Sequence, residues 1–186
     1  MAKGIQIGVS DLHVAKLLTD VDGTGATYDA PEKLAGVLTV GLQPQVVEGD
    51  FYADDKISES YSSISSFEIT INPELLTPEQ EAMLLGKELD GNDGVITTSS
   101  SSAPYFAVMF KSLKSDNTYR SQVVYKVKFS TPEETYNTKG DSIEYQTPTI
   151  NGKAIPRDAD DIITYKTDEA IATFMDAVYE PIPVTP

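Results

Sequence analysis

The chain has 186 residues, no cysteine, and 29 acidic against 14 basic side chains, for a formal net charge of −15. The missing cysteine excludes disulfides, thiolate metal sites and cysteine nucleophiles, and the acidic balance is the reverse of what a nucleic-acid binder needs. A hydrophobic content of 40% excludes wholesale disorder, and no apolar run approaches the ~20 residues of a membrane helix. The opening Met1-Ala2-Lys3-Gly4-Ile5-Gln6 has no apolar region of the kind a secretory signal carries, so release into a cytoplasm is expected.

In chain order, Ile5 to Leu18 is apolar, with Ile5, Ile7 and Val9 alternating, and reads as a strand or an extended arm. Asp20-Val21-Asp22-Gly23-Thr24-Gly25 is rich in turn formers. Leu34 to Leu42, with Val37, Thr39 and Val40, predicts a strand. From Gln43 to Ser66 the pattern weakens: Val46-Val47 and Phe51-Tyr52 are short apolar pieces among acids and serines. This predicts an excursion of two short strands and an extended loop, and loops of that length are usually functional. Phe67 to Asn72 alternates cleanly as a strand. Thr77-Pro78-Glu79-Gln80 then gives an N-cap threonine, proline at the first helical position and a capping box, with the helix ending at Gly86.

Asp90 to Gly94 reads as a turn and Thr97 to Ala103 as a serine-rich loop. Tyr105 to Leu113 and Tyr119 to Phe129 predict a hairpin closed by Ser115-Asp116-Asn117. In its second strand Val123, Tyr125, Val127 and Phe129 share one face, with Lys126 and Lys128 on the other. Ile143 to Ile155 is a further strand region, broken by Pro148 and by the turn signal Asn151-Gly152. Thr167-Asp168-Glu169 predicts the start of a second helix, whose apolar face would be Ile171, Phe174, Met175 and Val178. Residues 179–186 hold three prolines and read as an extended arm. The whole is one domain over 1–186, α+β and mainly β, an antiparallel sandwich or half-barrel with one flanking helix and a short C-terminal helix.

Catalytic constellations are scarce. His13 is the one histidine, which argues against a histidine triad or a histidine metal cluster. Asp20 to Gly25 begins like a calcium loop, but its twelfth position is Pro31 where a bidentate glutamate belongs. Asp54-Asp55 and Asp160-Asp161 are adjacent carboxylates that would point to opposite faces of a strand. Phosphate-loop, dinucleotide and nucleophile-elbow motifs are missing from the sequence. The expectation is a protein that is no enzyme and takes no cofactor or metal. One distribution stands out: Lys111, Lys114, Arg120, Lys126 and Lys128 cluster in the hairpin of an otherwise acidic chain. They read either as a solvated face with protective edge lysines or as a basic surface complementary to the acidic excursion of an identical subunit. With Asp50, Tyr52, Asp54 and Asp55 they form the candidate self-assembly set.

Several pieces also run in a familiar order: Ala103-Pro104-Tyr105-Phe106-Ala107-Val108, Phe110 to Ser115, Tyr119-Arg120, Val124-Tyr125-Lys126, Phe129 to Glu134, Thr138 to Asp141, and Glu144 to Gly152. With Tyr28 to Gly36, Tyr52 to Asp55 and Leu84-Leu85-Gly86, they resemble the major tail proteins of long-tailed, non-contractile phages of Gram-positive hosts, over about residues 20–165. The resemblance implies a β-sandwich with a flanking helix that forms rings, typically hexameric, stacked into a hollow tube, with strands of all subunits completing a barrel. The implied partners are further copies of itself, a tape-measure protein, tail terminator and tail-tip proteins, and DNA passing through the lumen of the virion tail without sequence-specific contact. No membrane partner is implied. A high negative charge would keep such a lumen from holding DNA. The competing reading is a carbohydrate-binding or adhesive β-sandwich with tyrosines as a stacking platform.

Overall fold

The computed structural model describes residues 4–34, 36–134, 138 and 147–182. These form eleven strands and one α-helix: β1 Gln6–Val21, β2 Gly25–Tyr28, β3 Glu32–Lys33, β4 Val37–Ala53, β5 Lys56–Pro73, α1 Pro78–Leu85, β6 Glu88–Leu89, β7 Val95–Ile96, β8 Tyr105–Lys114, β9 Tyr119–Phe129, β10 Ile150–Ala154 and β11 Thr164–Thr167. Nine strands make one antiparallel sheet in the order β2-β1-β8-β9-β10-β5-β4, with β11 beside β9 and β3 beside β1. β6 and β7 form a separate pair. The sheet is not closed, and β4 ends it on one side.

The sheet buries both faces at its centre. On one face Leu12 and Val14 of β1, Phe106 and Val108 of β8, Val124 and Val127 of β9, and Ile69 and Ile71 of β5 pack with Leu84 and Leu85 of α1. Val9 near one end of the strand order and Val40 and Leu42 at the other join that same cluster, so the sheet curves around its core without closing into a barrel. On the opposite face Ala107, Met109, Val123 and Tyr125 are covered by the C-terminal segment through Phe174, Met175 and Tyr179.

Helix α1 follows its sequence signals. The Thr77 hydroxyl accepts from the Gln80 amide, the Gln80 side chain accepts from the Thr77 amide, and Pro78 opens the helix. Gly86 closes it at φ 63°, and a Cβ there would collide with the Ser102 carbonyl, so glycine is required for both reasons.

Four sequence expectations change. The excursion at 43–66 is one continuous two-stranded hairpin: β4 and β5 stay paired from Val37↔Pro73 to Ala53↔Lys56. Its turn is Asp54-Asp55, both residues left-handed at φ 50° and 61°, as a two-residue type I′ turn requires. The hydrophobic alternation of β9 is split by a bulge: Phe106 pairs Val127 while Val108 pairs Val124, so β9 carries one extra residue. Val127 and Phe129 therefore face the α1 side, while Val123 and Tyr125 face the C-terminal segment.

Asn151-Gly152 lies inside β10 rather than at a turn. A Cβ on Gly152 would come within 3.0 Å of the Phe129 ring and 3.1 Å of Ile69, so close packing explains the glycine. Residues 143–146 of the expected strand, and 183–186 of the expected arm, lie outside the described residues. The predicted second helix is not one. Residues 172–177 form turns in which the Phe174 amide donates to Ile171 and the Asp176 amide to Thr173, at 3.2 and 3.1 Å. No helix among the described residues is long and apolar enough to cross a membrane.

Candidate self-assembly surface

The β4–β5 hairpin leaves the body near Val46. Every residue from Val46 to Ser62 is exposed, and no layer among the described residues lies beneath the hairpin. Alternation and register assign its faces. Val46, Glu48, Asp50 and Tyr52 share one face with their cross-strand partners Ile64, Ser62, Ser60 and Ile57. The other face carries Val47, Phe51, Tyr61 and Glu59. Phe51, Tyr52 and Tyr61 are each about two-thirds exposed, at 65%, 63% and 65%. A two-stranded ribbon with apolar groups on both faces is marginal in water alone. Asp50, Tyr52, Asp54 and Asp55 of the candidate set all lie on this hairpin, Asp54 and Asp55 at its tip.

Four of the five candidate cations are committed within the chain. Lys111 pairs with Asp11 at 2.9 Å, and Lys33 reaches the same carboxylate at 2.8 Å. Asp11 stands at a bulge in β1 with φ 61°, which turns its side chain toward both lysines. Those two hydrogen bonds hold its pKa down at about 2. Lys114 and Arg120 share Asp168, the first at 2.7 Å and the second by a fork of 2.6 and 3.0 Å. The Asp168 carboxyl is thereby held well below its usual range, chiefly by Arg120.

Lys126 is buried at the β9 bulge and pairs with Asp20 at 2.6 Å and Asp158 at 2.9 Å. Asp20 also accepts from the amides of Asp158 and Ala159. Burial opposes its charge, but these partners leave its pKa lowered. The carboxylate that opened the calcium-like sequence is thus an internal counter-ion for Lys126. No group of three or more potential metal ligands occurs among the described residues. His13 sits on β1 with its Nδ1 3.1 Å from the Asp11 carbonyl. Asp160 is bound to Arg157, and Asp55 of the other adjacent pair turns the hairpin.

Lys128 differs from these four. It is exposed, contacts only the Ser102 hydroxyl at 3.3 Å and the Tyr105 ring at 5.6 Å, and has no carboxylate partner among the described residues. Its cross-strand neighbour is Lys153 of β10. Lys153 lies outside the sequence-derived set, whose cations are confined to the β8–β9 hairpin. Once β10 is a strand, alternation places it opposite the core residues Gly152 and Ala154.

A second centre escaped sequence reasoning. Arg157, with 1% of its surface exposed, is among the largest fully buried side chains of the described residues. Its guanidinium lies 4.0 Å from the centre of the Tyr125 ring, forks to Asp160, and reaches Glu180 at 2.8 and 3.0 Å. Burial opposes the charge, and the Asp160 and Glu180 carboxylates more than offset it, so its pKa is raised. Desolvation beside it pushes Tyr28 up to about 12. Together with the hydrogen bond from the Tyr125 hydroxyl to the Tyr179 carbonyl, 2.8 Å, this fastens the C-terminal segment to the sheet.

No protein-family model matches this sequence, and no curated protein matches it.

Proposed function

We propose that this chain is the major structural subunit of a phage tail tube, assembling into stacked, hexameric rings around a tape-measure protein and later conducting DNA, and that it is not an enzyme. The observation that carries the reading is the β4–β5 hairpin: a long ribbon, exposed from Val46 to Ser62, with apolar side chains on both faces and nothing among the described residues to cover them. The open half-barrel adds support. Among the described residues strand β4 ends the sheet with an unpaired backbone edge, and unpaired edges favour pairing with another chain. Pairing such edges around a ring would close half-barrels into a continuous barrel, and head-to-tail contacts between rings would extend it into a filament. A glycan-stacking platform needs aromatics fixed on a packed face, whereas Phe51, Tyr52 and Tyr61 stand on a free arm.

The test is negative-stain electron microscopy of the purified protein over a concentration series, beside a variant lacking residues 46–62. The expected result is hollow tubes or rings from the full chain, and a folded, non-polymerising protein from the shortened one. A full chain that stays monomeric throughout the series, or a shortened chain that still forms tubes, would overturn the proposal.

A further inference from the structure

The outer face of the sheet beside its covered centre carries a row of side chains set by strand register: Tyr105 on β8 beside Lys128 on β9, Lys153 on β10 and Glu68 on β5. Two lysines stand directly opposite each other here, an arrangement that destabilises a sheet unless an anion lies between them. Glu68 flanks Lys153 without an ion pair, and no carboxylate bridges the two lysines among the described residues. Beside them Tyr105 and Ile155 line a shallow cleft of about 250 Å³ together with Lys128 and Lys153. In a chain of net charge −15 this cleft joins two cations to apolar surface.

The hairpin end has the opposite character. From Val46 to Ser62 it carries Glu48, Asp50, Asp54, Asp55 and Glu59 against Lys56 alone, interleaved with Phe51 and Tyr52. None of these charged groups makes an ion pair among the described residues. It cannot satisfy the two lysines of its own chain: Lys153 is level with Glu68, and the turn at Asp55 lies thirteen residues further along β5, roughly 40 Å away at strand rise.

We propose that the acidic hairpin end of one copy docks on the Lys128–Lys153 face of another, its carboxylates between the two lysines and an aromatic side chain over the Tyr105–Ile155 cleft. This rests on the self-assembling reading above and names the acceptor for the hairpin. The contact is heterologous, since donor and acceptor are different parts of the chain, and it therefore propagates rather than closing on a pair.

Two charge-reversed proteins test it: Lys128→Glu/Lys153→Glu, with acidic end and acidic face, and Glu48→Lys/Asp50→Lys/Glu59→Lys, with basic end and basic face. All five positions are exposed. Assembly is followed by sedimentation velocity and light scattering at low salt. Each variant alone should need at least about tenfold more protein than wild type to polymerise, while an equimolar mixture should polymerise, because each end then finds a face of opposite charge. Misfolding of either variant cannot produce that recovery. Wild-type assembly by K128E/K153E alone, or no recovery on mixing, would overturn the contact and leave the tube reading standing. Failure of the wild type to polymerise would overturn both.

Discussion

Arg157 holds a full positive charge in a place with almost no water, and the fold is arranged around it. Two carboxylates and one aromatic face take up what water would supply, and each comes from a different segment: Asp160 from the following loop, Glu180 from the C-terminal stretch, Tyr125 from β9. A lysine could satisfy one partner but could neither fork to Asp160 nor lie flat on Tyr125. Arg157→Lys should cost about 3 kcal/mol, the order expected for disrupting a buried charge's partners. Urea denaturation would measure this, and a loss under half a unit would mean the network is ornamental. Nothing in the sequence singled out Arg157, because its partners lie 3, 23 and 32 positions away in three unrelated patterns. Lys126 is visible in the sequence as a cation, read either as part of a solvated face or as a contact to another subunit, and both readings leave it at the surface; the bulge that buries it leaves no mark in residue types.

At the scale of elements, legibility followed how local the cause was. Helix α1 was readable because cap, proline and terminal glycine act within one turn of the chain. Thr77→Ala removes the acceptor for the Gln80 amide and should lower stability by about 1 kcal/mol, measured as a shifted denaturation midpoint with unchanged slope. A loss as large as a core truncation would imply a further role for Thr77. The second helix was misread for the complementary reason. Phe174 and its neighbours do bury, but they do so from turns, because a segment this short gains more from docking than from helical hydrogen bonds. Its start is also already committed, with the Asp168 carboxylate tied to Lys114 and Arg120. The hairpin was visible as two apolar pieces, but its continuity was hidden. An Asp-Asp type I′ turn lacks the usual glycine, and the exposed strands have no buried face to impose alternation.

For the molecule as a whole, charge sets the response to acid. Asp11, Asp20 and Asp168 all have carboxyls held below the ordinary range of ~3.9. A depressed native pKa contributes stability that is complete above the unfolded value and is lost as pH falls through the native one. Mild acidification from neutrality first relieves the self-repulsion of a chain at −15. The urea midpoint should therefore hold or rise down to about pH 5 and then fall steeply between about pH 4 and pH 2. Asp11→Asn should be less stable at neutral pH and show a shallower acid limb. A midpoint level down to pH 2 would contradict the ion-pair assignments.

The hairpin also has a metrical consequence. If successive copies join end to face, the step from one copy to the next equals the separation of donor and acceptor within a single chain. That separation is a count of strand residues multiplied by a nearly fixed rise of about 3.3 Å. The spacing of the polymer would then be written in the number of residues between Asp55 and Glu68, and side-chain chemistry would decide only whether the step is taken.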